Sequence, residues 1–290
     1  MILKLNELDH NFNDVLFVIV LYNNSLENSI TIESITANYK HPIDLLAFDN
    51  SPRRQYQKSR FQYKNLNVFY SNDEANPGLS RAYNYSLLEA SKLSKKWILL
   101  LDQDTLFTED YIKELYSINT DNLGPDVVAI IPKVNSIYNP HKIISPAKMY
   151  IGGKFKPINL ESGVSFKPIS AINSGSLINV DFLKSINGFK NSFQLDMLDH
   201  WYFREIYKAQ KQVYVLNSTI YQSLSVSEKF EDNISIERYR KMLNAEKMFI
   251  SLNGRMHVFF FKLRLLARLF KQIKYQNKAY FKSTFQYLFQ

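Results

Sequence analysis

Apolar runs of strand length alternate along the chain with stretches of helical periodicity. Residues 15–22 (VLFVIVLY) are an unbroken series of branched and aromatic side chains, which predicts a strand buried on both faces. Ser25 is placed to cap a helix running to about residue 39. Residues 43–49 (IDLLAFD) predict a second strand, closed by the turn-forming Asn50-Ser51-Pro52, and residues 66–70 a third. Asn76-Pro77-Gly78 is a turn that opens a helix with Leu79, Ala82, Tyr83, Leu87 and Ala90 on its apolar face. A fourth strand, 97–101 (WILLL), stops abruptly at Asp102-Gln103-Asp104. Thr108 caps the next helix, and residues 127–131 predict a fifth strand.

Strands and helices alternating at this spacing predict an α/β fold, a mainly parallel sheet with crossover helices. In such sheets ligands bind beyond the carboxyl ends of the strands. The polar residues gather there: Tyr22 and Asn23 after the first strand, Asp49 at the end of the second, Asp102 and Asp104 after the fourth. From 133 to 170 the pattern breaks into Pro, Gly, Lys and Ser with short apolar pairs, which predicts loops and antiparallel strands. A strand over 171–180, a short helix ending at Gly188, a helix over 198–211 and a strand over 213–216 follow. Two helices, 236–252 and 256–273, come next, and 273–290 reads as interfacial or poorly ordered. The organisation is a body, 1–254, with a helical C-terminal appendage, 255–290.

The formal charge of +9 changes meaning once it is located. Residues 255–290 hold eight Lys/Arg and no acid, whereas the first 254 hold 28 basic and 27 acidic residues. The body is electrostatically neutral, which excludes a broad nucleic-acid footprint on it. The tail instead reads as a basic amphipathic helix, with Arg264, Arg268 and Lys271 set among Phe and Leu. Such a helix suits an anionic membrane interface, or packs its apolar face on the body. The absence of Cys excludes disulfides, thiolate zinc sites and a cysteine nucleophile. Acidic residues in MILKLNELDHNFND stand where a signal peptide carries its apolar run, and no stretch reaches the roughly 18 apolar residues of a span. The expectation is a cytoplasmic protein, peripheral at the inner face of the cell membrane.

Asp102 and Asp104, one residue apart on a turn leaving a buried strand, can present oxygens to one hard cation. Mg²⁺ or Mn²⁺ takes a few carboxylates plus phosphate oxygens and neutralises charge on a departing diphosphate. Alone, Asp-x-Asp reads equally as a solvated turn. It stands, however, in a series of segments: VIVLYNN (18–24), LLAFDNS (45–51), NPGLSRAYN (76–84), WILLLDQDT (97–105), NSGSLINVDFLKSINGF (173–189) and LDMLDHWYFRE (195–205). Together these resemble the inverting glycosyltransferase family 2, with its glycosyltransferase A-type fold, and in particular its rhamnosyltransferase-like branch.

The resemblance implies a role for each matching residue. Tyr22, with Asn23 beside it, stacks against the donor's base, and Asp49 accepts a hydrogen bond from the base; the other readings are a core aromatic and an Asx-turn with Asn50 and Ser51. Asn76, Gly78 and Asn84 lie near base and ribose, and Arg81 reaches toward the diphosphate. Asp102 approaches ribose and metal, and Asp104 ligates the metal. Asn173, Ser174 and Gly175 line the acceptor side. Inversion requires a carboxylate to take the acceptor hydroxyl's proton: Asp199 is the first candidate and Asp196 the second, the other of the two capping the helix. The family's second acid, two positions after the base, is replaced here by Trp201. Where many relatives complete the metal site with His, this chain has Gln222.

The resemblance implies transfer of a sugar from a nucleotide-diphosphate donor, dTDP-rhamnose or a UDP-hexose, to a glycan or lipid-linked acceptor in bacterial surface polysaccharide assembly. Two other classes are compatible with parts of the pattern. One is a non-catalytic nucleotide-sugar or glycan-binding scaffold of the same fold. The other is a nucleotidyltransferase, which the lack of Gly, Lys or Arg in 21–25 disfavours.

Overall fold

A strand with no polar face must be covered on both sides, and the first apolar run is. In the computed structural model, which describes residues 12–223 and 234–289, β1 (Val15–Leu21) is buried at every position. Its side chains alternate between two cores: Leu16, Val18 and Val20 enter one, Phe17, Ile19 and Leu21 the other. Each fully buried side chain of this kind contributes about 1.5–3 kcal/mol relative to exposure.

In chain order β1 is followed by α1 (Ile30–Asn38), β2 (Ile43–Asp49), β3 (Arg60–Tyr63), β4 (Leu66–Asn72) and α2 (Leu79–Lys92). Then come β5 (Trp97–Leu101), β6 (Thr105–Leu106), α3 (Glu109–Ser117) and β7 (Val127–Ser136). The 133–170 region supplies β8 (Ile143–Ser145), β9 (Ala147–Tyr150), β10 (Lys154–Pro157) and β11 (Gly163–Ser165), all antiparallel to their partners, as expected. The chain continues through β12 (Leu177–Asn179), α4 (Val180–Ser185), α5 (Leu198–Lys208), β13 (Gln212–Gln222), α6 (Ile236–Ser251), α7 (Arg255–Gln272) and α8 (Ala279–Leu288). The main sheet runs β11-β13-β7-β12-β5-β1-β2-β4-β3. Strands β5, β1, β2 and β4 are mutually parallel, so their carboxyl ends share one edge. The chain is thus an α/β protein with a mostly parallel sheet between helices.

Several expectations are corrected. The first helix starts at Ser29, not Ser25: residues 25–28 turn back on themselves through Asn28 N–H to Ser25 O, and Ser29 Oγ accepts from Ile32 N–H at 3.3 Å. The strand expected over 171–180 is confined to 177–179. It inserts antiparallel between β5 and β7, so the fifth predicted strand is not β5's direct neighbour. Residues 1–11 of the acidic N-terminal stretch, and Leu224 and Ser225, lie outside the described residues.

The tail folds back rather than trailing. Phe261, Leu265 and Leu269 of α7 are buried. In α8 the buried residues are Tyr280, Ser283 and Thr284, at the i, i+3, i+4 spacing that puts one face on a neighbour. Thr284 Oγ1 lies 2.5 Å from the Tyr239 hydroxyl of α6, so the poorly ordered reading of 273–290 is overturned for α8. Arg264 and Arg268, expected on the charged outer face, turn inward instead. Arg268 makes a bidentate pair with Glu246 at 2.8 and 2.9 Å, and Arg264 donates to Gly152 O and lies 3.5 Å from Glu246. Among the described residues no helix is long and apolar enough to cross a membrane.

One glycine fixes how α2 meets the loop before α5. Gly78 has φ +90° and ψ −176°, a region essentially closed to other residues. A Cβ there would stand 2.3 Å from Gln194 O, the atom that accepts Leu79 N–H at 2.6 Å. Gly78→Ala is expected to destabilise the fold by about 2 kcal/mol or more, read as a lower urea midpoint with unchanged slope.

Candidate functional site

Hydroxyl and amide groups pin the turn after β5 from three sides. Thr31 Oγ1 lies 2.5 Å from Asp102 O and accepts Thr105 N–H at 3.0 Å. Ser29 Oγ donates to Gln103 O at 2.9 Å. Ser174 Oγ accepts Asp102 N–H at 3.2 Å and lies 2.7 Å from Thr105 Oγ1. The middle residue of the motif works too: Gln103 accepts Tyr22 N–H at 2.9 Å and donates to Tyr22 O at 3.3 Å. The Asp-x-Asp turn is thereby joined to the end of β1, and the Tyr22 side chain stands 47% exposed. That exposure excludes the core-aromatic reading and leaves the ring available as a stacking face. Asn23, with φ +49°, is held by its N–H to Ser51 Oγ at 2.8 Å.

The two carboxylates have one close protein partner. β13 pairs with β6 so that Gln222 lies opposite Thr105, and Gln222 Nε2 donates to Asp102 Oδ2 at 2.7 Å. Its other amide atom, Oε1, is buried with no partner. Loss of hydration, then the charge of Asp104 and that of Asp199, push Asp102 up to about 7, against the Gln222 bond. Loss of hydration also raises Asp104. Crowded carboxylates with elevated proton affinity beside an orphaned amide oxygen form the oxygen-rich donor set a hard divalent cation takes. Asp102, Asp104 and Gln222 fit such an ion as a partial shell. Among the described residues no three His, Cys, Asp or Glu side chains gather into a fuller cage.

Other expected residues are placed differently. Asp49 is completely buried: Oδ1 accepts Ser51 N–H at 2.9 Å, and Oδ2 accepts the Tyr70 hydroxyl at 2.6 Å and Gln55 N–H at 3.3 Å. Its carboxylate shapes the 50–55 loop, the Asx-turn reading, rather than facing a ligand. The Asn84 amide is likewise committed, to Phe189 N–H and O at 2.7 and 2.8 Å and to Asn191 at 2.9 Å. Ser174 and Gly175, expected on the acceptor side, are both buried, and a Cβ on Gly175 would meet Ile220 Cδ1 at 2.8 Å. The close approach there is to the core, and Asn173 is 8% exposed. Asn76 and Gly78 border a cavity of about 370 Å³. Arg81, mostly exposed, pairs with Asp73 at 3.1 Å and with Asn84 borders a cavity of about 610 Å³. Neither cavity is lined by Asp102 or Asp104. The larger is lined mainly by α2 and the turn before it.

The two candidate bases separate cleanly. Asp196 is gripped by both guanidinium nitrogens of Arg238, one at 2.7 Å, and is neutralised. Asp199 lies in the first turn of α5, with Oδ1 accepting His200 N–H at 2.7 Å, and its charge is felt by Asp102. Neither acid caps the helix: the capping position is Met197, at φ +64° with no side-chain bond. His200 is stacked on Phe155 at 3.6 Å and lies 2.6 Å from Ser170 Oγ, a structural residue whose proton affinity burial lowers. Sequence reasoning missed Tyr83. It sits on the apolar face of α2, yet its hydroxyl is buried with no partner, and burial, then the charges of Asp102 and Asp199, hold its phenol proton tightly. Helical periodicity marks such a residue only as core.

Comparison with known proteins places the chain in a family. Residues 16–167, just over half of the chain, match the family described as glycosyl transferase family 2. No curated protein matches the chain in sequence. Among solved structures it is similar to GalNAc-T7 with UDP, GalNAc and Mn²⁺ (TM-score 0.55, 14% identity, 80% of this chain and 47% of that one). It is also similar to S. aureus TarS (TM-score 0.51, 15% identity, 94% of this chain and 55% of that one). The chain therefore spans about half the length of these two, and at such identities the likeness is one of fold.

Two outcomes follow from the site. The raised Asp102 pKa means the folded protein keeps a proton that the unfolded chain releases above its ordinary 3.8. This group's contribution to stability therefore falls as pH rises from about 4 through about 7. Asp102→Asn, in EDTA, is expected to stabilise the fold at pH 8 by roughly 2 kcal/mol, half the bare linkage value because the carboxyl is partly solvated, and by almost nothing at pH 4. Thermal melting at the two pH values checks this. Tyr83→Phe removes an unsatisfied buried hydroxyl and is expected to leave stability unchanged or raise it by about 1 kcal/mol. A marked loss in the same melting assay would mean that the hydroxyl has a partner after all.

Proposed function

The chain belongs to glycosyl transferase family 2, and from that premise we propose that it is an inverting glycosyltransferase. It moves a sugar from a nucleotide-diphosphate donor to a glycan or lipid-linked glycan acceptor. The observation that carries this reading is the Asp102–Asp104 pair, locked through Gln103 to an exposed Tyr22 on the neighbouring strand end and within electrostatic range of Asp199. The donor is dTDP-rhamnose or a UDP-hexose, and the setting is bacterial surface polysaccharide assembly at the inner face of the membrane.

A Mg²⁺ or Mn²⁺ ion would be held by Asp102 and Asp104, with the unpartnered Gln222 Oε1 as a neutral third donor; when bound it supplies positive charge to the leaving diphosphate. The protein's own residues do the rest. The Tyr22 ring stacks on the base, and the 50–55 loop, shaped by Asp49, borders it. Arg81, exposed and, among the described residues, paired with Asp73, can exchange that partner for a phosphate. Asp199 accepts the proton of the acceptor hydroxyl as its oxygen attacks the anomeric carbon from the face opposite the leaving group. Attack and departure on opposite faces invert the configuration in one displacement. Asp196, paired with Arg238, positions the segment leading to Asp199.

A second reading, a binding scaffold without turnover, draws on one observation: Gln222 occupies Asp102 where an ionisable ligand would bind a cation more tightly. Release of UDP or dTDP from a panel of nucleotide-sugars, with Mn²⁺, with Mg²⁺ and with EDTA, separates the two. Transferase activity predicts metal-dependent release from one donor. Asp104→Ala should lower it by about 100-fold or more, and Asp199→Asn by about 100–10,000-fold with donor affinity kept. Donor binding without release, even with candidate glycan acceptors present, would favour the scaffold. No binding of any donor would remove both readings.

A further inference from the structure

The helix α7 carries two apolar stripes, and its own fold uses only one. Phe261, Leu265 and Leu269 are buried. Met256, Phe259, Leu263, Leu266, Phe270 and Ile273 form a second series at alternating three- and four-residue steps, and all six are exposed; Phe270 reaches 71%. Isolated apolar side chains on a surface are ordinary, but six in one continuous stripe over five turns mark an interaction surface.

The charges around the stripe say what it meets. Arg264 and Arg268 are spent inward on Glu246 and Gly152. Arg255, Lys262, Lys271 and Lys274 remain exposed, and residues 255–290 contain no Asp or Glu to offset them. In the heptad register that makes the stripe a seam, Arg255, Lys262 and Lys274 flank it. A second copy of the helix would bring a second set of these cations to the same seam, with no acid on either helix to pair with them, whereas an anionic partner would pair with them. An anionic surface meets no such conflict.

We propose that this outer stripe of α7 lies in the interface of an anionic lipid bilayer. Its aromatic and aliphatic side chains enter the acyl boundary while Lys262, Lys271 and Lys274 engage headgroups. The surface is independent of the catalytic reading and goes beyond it. It also differs from the surface that sequence spacing marks, since Arg264 and Arg268 take no part.

The test is co-sedimentation of the full chain with phosphatidylcholine vesicles, with and without about 30% phosphatidylglycerol. Binding is expected only to the anionic vesicles and is expected to weaken as salt rises. Phe259→Ser with Phe270→Ser should lower it by at least about ten-fold, and Lys262→Ser or Lys274→Ser by roughly five-fold each. All four positions are exposed, so melting temperature and donor affinity should not move, which keeps a failure here separate from a failure of the transferase reading. Equal binding to both vesicle types, or vesicle affinity indifferent to all the variants, would overturn the proposal. So would a dimer in sedimentation velocity that the Phe259→Ser, Phe270→Ser variant dissolves while vesicle binding persists; the stripe would then belong to a second copy.

Discussion

Two like charges one residue apart repel, and the region around β5 is arranged to hold them together against that repulsion. The backbone of 102–105 is fastened by the hydroxyls of Ser29, Thr31 and Ser174, which leaves the carboxylates little freedom to swing apart. Crowding and loss of hydration then lift Asp102 to about 7. Such an arrangement is unfavourable until positive charge arrives, the condition that the proposed divalent cation would meet. The parallel strands, the antiparallel β6–β13 pairing and the α1 N-terminus all contribute atoms to this one turn.

The parts of the fold legible in the sequence are those whose signals are local. Strands buried on both faces must be apolar throughout, so β1, β2 and β5 stand out, and an abrupt change to acids at residue 102 marks where the sheet ends. Thr108 as a helix cap is equally local. The antiparallel insertion of β12 was not legible, since a three-residue strand has no periodicity to read.

The site divides along the same line. Tyr22, Asp102 and Asp104 could be singled out because they follow strands directly. The state of Asp49 depends on the Tyr70 hydroxyl, 21 residues away, and that of Asp196 on Arg238, 42 residues away. Nothing near either acid announces those partners, so a free carboxylate and a committed one look alike in the sequence. Ser174 and Gly175 are ambiguous for a related reason: small residues fit a substrate wall and a tight internal latch equally well.

Helix α6 is tied by ion pairs to two other segments at separate points along its length. Near its start Arg238 holds Asp196, just ahead of the turn that delivers Asp199; two turns on, Glu246 holds Arg268 of the tail. The three elements are therefore coupled in series, like links sharing a rod. The contacts of α7 with Glu246 therefore lie on the same helix that holds the loop ahead of Asp199. One helix thus ties the C-terminal tail and the segment ahead of Asp199 into a single connected unit.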